Sequence, residues 1–416
     1  MTNMNEVKQS RLDFIDIAKG IGIICVAGGH LVGEGGISFE GSVISVQIWL
    51  IKGICYKFDV NFKKLEESKK MNHLCKLQYI SKDCSFWAGK SILITGATGL
   101  IGRGIIQTLL NWNFAHPNAY IHIIAMVRNK KKAIDYFGSA DIQYVIGDIR
   151  TVTFENIYAD YIIHGASQTS SKEFVAHPIE VSSIALDGTR HILEYAVKVR
   201  AKGFIYLSSM EIYGCPKTDE KITEEYPSNI DTMKARSCYP ESKRMCENLC
   251  ISYMAEYHLP VAVLRLAQTF GEGVEYTDNR IFAEFARCVI ENRDIILKTK
   301  GKTKRSYLYL YDAISAIFLI IYKNGYGESY NIANEDTYCS IYDMAHVVAG
   351  EIAENQIDVK IEEKNIEKLG FAPELHMNLD TSKIKKLGWE PTTNLEQMYR
   401  IMINFMKTKE ENSSFL

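Results

Sequence analysis

The stretch that most constrains this chain is "SILITGATGLIG", residues 91–102. Ile92-Leu93-Ile94 is an apolar run of strand length. Gly96, Gly99 and Gly102 follow at once, and then a helical pattern through Trp112. Glycines at this spacing serve three needs: a tight turn, backbone approach to a bound group, and close packing of helix on strand. The helix start offers unpaired N–H groups and the positive end of a dipole, which suit a phosphate. Further short apolar runs follow: "YIHIIAMV", "IQYVIGD", "DYIIHGA", "GFIYLSS" and "PVAVLRLA". Helical patterns such as 178–198 and 240–257 lie between several of them. Short buried strands alternating with amphipathic helices predict an α/β fold, with a doubly wound parallel sheet covered on both faces. The tail from Thr299 reads as less regular. It is expected to pack beside the open end of the sheet, where ligands bind in such folds.

Composition removes several alternatives. The chain has 416 residues, 47% hydrophobic and 24% charged, which is globular and large enough for a sizeable core. A formal net charge of -2 gives no basic field for nucleic acid. The ten cysteines form no CxxC pair. Cys246 and Cys250 share a helix face, but no further ligands stand at zinc-site spacing, so no metal is expected. Reduced thiols in a cytoplasmic protein are the expectation. Residues 12–33 are the one membrane candidate. They carry Asp13, Asp16, Lys19 and His30, charges that are costly near a bilayer centre.

The turn and helix start, Gly96, Thr98, Gly99, Leu100, Ile101 and Gly102, are the candidates for holding a dinucleotide pyrophosphate. An acid usually ends the second strand of such sites and binds the ribose. Here Val127-Arg128 stands there, followed by Lys130, Lys131 and Lys132. Arg128 pairs with a 2′-phosphate, favouring NADP, or belongs to a solvated basic loop; both readings stay open. Asp148, with Ile149, follows the third strand and is placed to meet the adenine. Gly165 and Ala166 end the fourth strand and leave room for the cofactor. "YPESK" sets Tyr239 and Lys243 on one helix face, and Ser209 ends the preceding strand. This trio suits hydride chemistry on an alcohol. Tyr239 takes the hydroxyl proton, Lys243 and the nicotinamide charge lower its pKa, and Ser209 holds the substrate oxygen.

Residues from about 88 to 405 resemble the NAD-dependent epimerase/dehydratase family, the extended short-chain dehydrogenases/reductases that modify nucleotide sugars. The resemblance rests on "TGATGLIG", "GDI" at 147–149, "HGAS" at 164–167, "LSSMEIYG" at 207–214, "YPESKRMCE" at 239–247, "RLAQTFGEG" at 265–273, "RSYLYLYDAISAI" at 305–317, "YNIAN" at 330–334 and "LGWEP" at 387–391. It implies a Rossmann-like sheet, with a cofactor part at about 89–265 and a smaller C-terminal substrate part at about 266–410. It also implies a tightly bound NAD(P)+, Ser/Tyr/Lys catalysis, a nucleotide-sugar substrate and a homodimer. It makes Gln268, Asn279, Arg280 and Arg305 substrate-binding, with Arg305 on the diphosphate and Asp312 in the same motif. "DNRIFAEFA" and "SCYPESKRMCENL" are similar to UDP-glucuronate decarboxylases. Ala185 departs from the family, which often has Asn there.

Glu211, two residues after Ser209, is a position where dehydratases and decarboxylases commonly carry Glu. A C4 ketone acidifies the C5 proton, and a carboxylate is a suitable base for it. Met210 stands where dTDP-glucose 4,6-dehydratases carry an acid, and methionine cannot donate a proton. The expectation is oxidation of a nucleotide sugar at C4, then decarboxylation or dehydration. Simple 4-epimerisation, NADPH-dependent 4-keto reduction and a non-catalytic cofactor-binding protein are the alternatives. Residues 1–56 resemble the first helix of acyltransferase-3 proteins through Arg11, Asp16, Lys19, Gly20 and His30. They read as a fusion remnant with His30 non-catalytic, or as a weak membrane tether. Residues 57–88 read as an exposed helical linker.

Overall fold

A computed structural model describes residues 83–413, apart from residue 139 and residues 364–373. The acyltransferase-like fragment with His30, and the linker as far as residue 82, lie outside the described residues. Among the described residues no helix is long and apolar enough to cross a membrane.

Seven parallel strands form the main sheet: β1 (Ser91–Thr95), β2 (His122–Val127), β3 (Gln143–Ile146), β4 (Tyr161–His164), β5 (Gly203–Ser209), β6 (Val261–Leu266) and β10 (Ser329–Ile332). Their spatial order is β3-β2-β1-β4-β5-β6-β10. Connections from β1 run one way to β2 and β3, and from β4 the other way, so a crevice opens beyond the C-terminal ends of β1 and β4. β1 shows why the sheet is buried on both faces. Ile92 and Ile94 join one core cluster, with Ile105, Leu109, Ile314 and Phe318. Leu93 points the other way, into a cluster with Ile192, Leu193, Cys246 and Cys250. Alternate residues along a strand face opposite sides, and here both sides are dry.

The first face is covered by α1 (Leu100–Ala115) and by the Leu310–Lys323 helix. The second is covered by the long helices Pro178–Lys198 and Cys238–Tyr257. Gly104 lets α1 seat closely, since a Cβ there would lie 2.7 Å from Ile314 Cδ1. Helix Pro178–Lys198 has proline in its first turn with Glu180, and Lys198 in its last, which matches the helix dipole at both ends. The Cys84–Trp87 turn ends the linker. Trp87 is fully buried and meets Phe318 edge-on at 5.5 Å, so the exposed face expected through residue 88 gives way to the core there.

A second lobe is built on the sheet β11-β9-β13, with β7 (Gln268–Phe270) also paired to β9 (Lys304–Tyr309). β11 is Asn334–Ser340 and β13 is His376–Met377. β8 (Ile295–Leu297) and β12 (Val359–Ile361) form a separate pair. This lobe has its own core, with Phe270, Phe282, Tyr307, Tyr399 and Met402 among its members. The tail is more regular than its sequence suggests. The Leu310–Lys323 helix is buried along most of its length, so it lacks the polar stripe by which a helix is recognised. The tail also returns to the main sheet as β10, parallel to β6.

Candidate active site

The Gly-rich turn stands at the crevice. A Cβ on Gly96, where φ is +71°, would lie 2.8 Å from the carbonyl carbon of Gly165. A Cβ on Gly102 would lie 2.3 Å from the Gly96 oxygen. Only glycine permits either approach. Gly99 caps α1 without a side-chain hydrogen bond, so the first-turn N–H groups at Leu100, Ile101 and Gly102 meet no capping side chain. Thr98 is half-buried in the same turn. These residues fit the pyrophosphate of a dinucleotide, and the glycine contacts are the observation that says so.

Behind the turn, a buried histidine sets the opposite wall. His164 Nδ1 lies 2.7 Å from Thr95 Oγ1, and its Nε2 lies 3.1 Å from Thr189 Oγ1. Burial, helped by the Lys243 charge, pushes its pKa down to about 3, so it is neutral. Thr95 Oγ1 also accepts the backbone N–H groups of Gly165 and Ala166, at 3.2 and 3.1 Å. The sequence marks Gly165 and Ala166, but not the Thr95–His164 bond that fixes them.

At the far end of the crevice, Arg128 is exposed just after β2. Asp148 is engaged by Arg150, whose Nη2 reaches Asp148 Oδ2 at 2.7 Å. Hydrogen bonding from Arg150 holds the Asp148 carboxyl at about 2, with a smaller contribution from the charge of Arg128. Arg150 continues to Glu180 at 3.1 Å. Ile149 is buried and touches the helix where Gly188 leaves space; a Cβ there would lie 2.7 Å from Ile149 Cγ2. Arg150 stands in no motif, and only the fold shows its hold on Asp148.

Tyr239, Lys243, Ser209 and Glu211 converge at the C-terminal end of β5. Lys243 is 4% exposed. Its Nζ donates to the Leu207 carbonyl at 2.8 Å and stands 6.0 Å from the Tyr239 ring centre. Burial pulls its pKa down to about 8. Tyr239 is buried, and its ring stacks on Phe174 at 4.4 Å with 10° between planes. Burial and then the Glu211 charge push its pKa well up; a hydrogen bond with Ser209 and the charges of Arg236 and Arg280 pull it back. Ser209 Oγ also accepts the Glu211 N–H at 3.2 Å. Glu211 Oε2 meets Arg236 Nη1 at 3.2 Å. Met210 is buried beside them.

One turn beyond Lys243, Glu247 takes a hydrogen bond from Ser208 and pairs with Arg265 at 2.8 Å. Arg265 donates to Tyr213 Oη at 2.9 Å, and Tyr213 donates to Asn331 Oδ1 at 2.7 Å. This buried chain ties the lysine-bearing helix to β5, β6 and β10.

On the second lobe, Arg305 Nη1 donates to Gln268 Oε1 at 2.9 Å, and its Nε is buried without a protein partner. Arg280 pairs with its neighbour Asp278 at 2.5 Å while its charge is felt at Tyr239. Asn279 is exposed. Asp312 is a latch: its carboxylate accepts from Thr392 Oγ1 at 2.7 Å and from the Thr392 and Thr393 N–H groups at 3.1 Å. Phe174, Arg236, Glu247 and Arg265 carry no spacing signal, because each meets its partner only through the fold.

The model of the NAD dependent epimerase/dehydratase family matches residues 92–333. The chain is 25% identical over 339 residues to UDP-glucuronic acid decarboxylase 1 of Xenopus tropicalis, covering 78% of this chain and 74% of that protein. It is 25% identical over 322 residues to UDP-glucuronic acid decarboxylase 6 of Arabidopsis thaliana, covering 76% and 89%. Among solved structures it resembles UDP-glucose 4-epimerase of Thermotoga maritima with UDP-glucose, with a TM-score of 0.66, 21% identity and coverage of 77% and 99%. UDP-glucuronic acid 4-epimerase of Bacillus cereus, in complex with UDP-glucuronic acid and NAD, gives 0.65, 20%, 77% and 99%. Those structures share the parallel sheet and its flanking helices. The chain therefore belongs to the NAD dependent epimerase/dehydratase family, whose members are nicotinamide-dependent enzymes of nucleotide-sugar modification.

Proposed function

We propose that this enzyme oxidises a nucleotide-activated sugar at C4 and then moves a proton at C5, with loss of a C6 carboxylate favoured over loss of water. The observation that carries the reading is the place of Glu211, directly after β5, its N–H donating to Ser209 Oγ at 3.2 Å in the cluster with buried Tyr239. Gly96, Thr98, Gly99, Leu100, Ile101, Gly102, Gly165 and Ala166 would hold the dinucleotide, with Asp148 and Ile149 toward its adenine. The bound nicotinamide supplies a hydride acceptor in the first half of the cycle and a hydride donor in the second.

Tyr239, as phenolate, takes the C4 hydroxyl proton. Lys243, with its pKa near 8, is still a cation at pH 7 and favours that phenolate. Ser209 holds the substrate oxygen by hydrogen bond. Once C4 is a ketone, a C6 carboxylate is a β-keto acid. The C5–C6 bond breaks, carbon dioxide leaves, the electron pair forms an enolate, and C5 takes a proton. Glu211 serves that C5 transfer. Met210 offers no acid for a departing hydroxyl, which ranks dehydration lower. The names of the decarboxylase relatives point the same way. Arg305 and Gln268 are assigned to the substrate diphosphate, with Asn279 and Arg280 on the nucleotide.

A panel of UDP-, dTDP-, GDP- and CDP-sugars, UDP-glucuronic acid first, identifies the substrate by product mass. The reaction is then run in deuterated water. Deuterium at C5 of the product is the expected result, and Glu211→Gln should slow formation of that product by orders of magnitude. Inversion at C4 with no deuterium at C5 would establish plain epimerisation and remove Glu211 from the chemistry.

A further inference from the structure

Arg236 lies in the short turn Ala235–Ser237, directly before the helix that carries Tyr239 and Lys243. Three segments bring charge to one place. Glu211 comes from the turn after β5, Arg236 from the turn before the helix, and Tyr239 from the helix's first turn. The Arg236–Glu211 pair is 3.2 Å long, with side chains 27% and 31% exposed. The Arg236 guanidinium also stands 5.8 Å from the Phe174 ring centre, and Phe174 is the residue stacked on Tyr239. Arg236 Nε is buried and has no protein partner, so the guanidinium keeps a donor in reserve.

The proposed chemistry sets these groups against each other. A phenol that must lose its proton stands beside a carboxylate that must relay one to C5. Two anions side by side in a part-buried site oppose one another's formation, as in paired carboxylates. We propose that Arg236 is a positioning residue that pairs with Glu211 and offsets its charge at Tyr239, so that both proton-transfer groups work in one cycle; this rests on the reading of Tyr239 and Glu211 given above. Every charged group felt at Tyr239 enters the balance. Glu211 opposes ionisation. Arg236 and Arg280, from the loop before the Ile281–Ile290 helix, favour it, as does the hydrogen bond with Ser209, and the Lys243 ammonium stands 6.0 Å from the ring centre on the same helix. Arg280 is tied to Asp278, which leaves Arg236 as the cation fixed on Glu211 itself.

The test is the pH profile of kcat with UDP-glucuronic acid, or with the nucleotide sugar that the panel identifies. The rising limb reports Tyr239. Arg236→Gln should move that limb to higher pH by about one unit, the lower end expected of a nearby opposite charge in a part-exposed site. Arg236→Lys, which keeps the charge, should leave the limb near its original position. Glu211→Gln, read on its residual turnover, should move the limb to lower pH, and in the double variant Arg236→Gln/Glu211→Gln the limb, though not the turnover, should return close to its position in the unsubstituted enzyme. A limb unmoved in Arg236→Gln, with only turnover or stability reduced, would make Arg236 structural and overturn the proposal. Tyr239→Phe is the control for the underlying reading. It should lose turnover by orders of magnitude, and near-normal turnover there would remove the reading of the site on which the proposal stands.

Discussion

Asp148 shows how a single residue's role depends on what holds it. Its carboxylate is committed to Arg150, so it would meet an adenine only as half of an ion pair. We propose that Arg128, exposed nearby, meets a 2′-phosphate, which would give a preference for NADP. Arg128→Ala should weaken NADP about tenfold and NAD little, the loss of one charge-assisted bond. Fluorescence titration of both cofactors measures it, and equal affinities in the unsubstituted enzyme would contradict the preference. At this scale the sequence is uneven. Tyr239, Lys243 and Ser209 are legible because a four-residue helical spacing and a strand end announce them. Arg236 is not, because its partner Glu211 lies 25 residues away and only the fold joins them. The same holds for Glu247, on the helix, whose partner Arg265 is on β6.

Among elements, the β1–α1 junction is the most tightly specified. Gly102→Val would force a side chain into the Gly96 carbonyl, which a Cβ alone already approaches to 2.3 Å. The turn must then open, so dinucleotide affinity should fall at least a hundredfold while far-UV circular dichroism stays native. Calorimetric titration with NAD tests this, and unchanged affinity would show that the turn is not the pyrophosphate site. Elements with such a junction, or with clear apolar alternation, are legible in the sequence. The Pro178–Lys198 helix is read with the boundaries the structure gives it. The Leu310–Lys323 helix and β10 are not, for opposite reasons. The helix is apolar almost all round and offers no period to count. The strand is four residues long and acquires its meaning only from lying beside β6.

Across the whole molecule, Asp312 connects segments 80 residues apart, pinning Thr392 and Thr393 to the start of the Leu310–Lys323 helix. Asp312→Ala would remove the acceptor of three hydrogen bonds, one of them from the buried Thr393 N–H, and should cost about 2–4 kcal/mol. A matching drop in the urea midpoint, with the Tyr239 limb of the pH profile unmoved, is the expected result. The path of the chain between the lobes has a further consequence. After β6 it builds β7, β8 and β9 elsewhere, comes back for β10, and leaves again for β11. A nascent chain halted after β6 would present that strand's unpaired edge to its neighbours, an invitation to aggregate. Recombination between relatives meets the same obstacle: the substrate lobe cannot be exchanged as a single cassette, because any cut that removes it also removes the strand that closes the cofactor sheet.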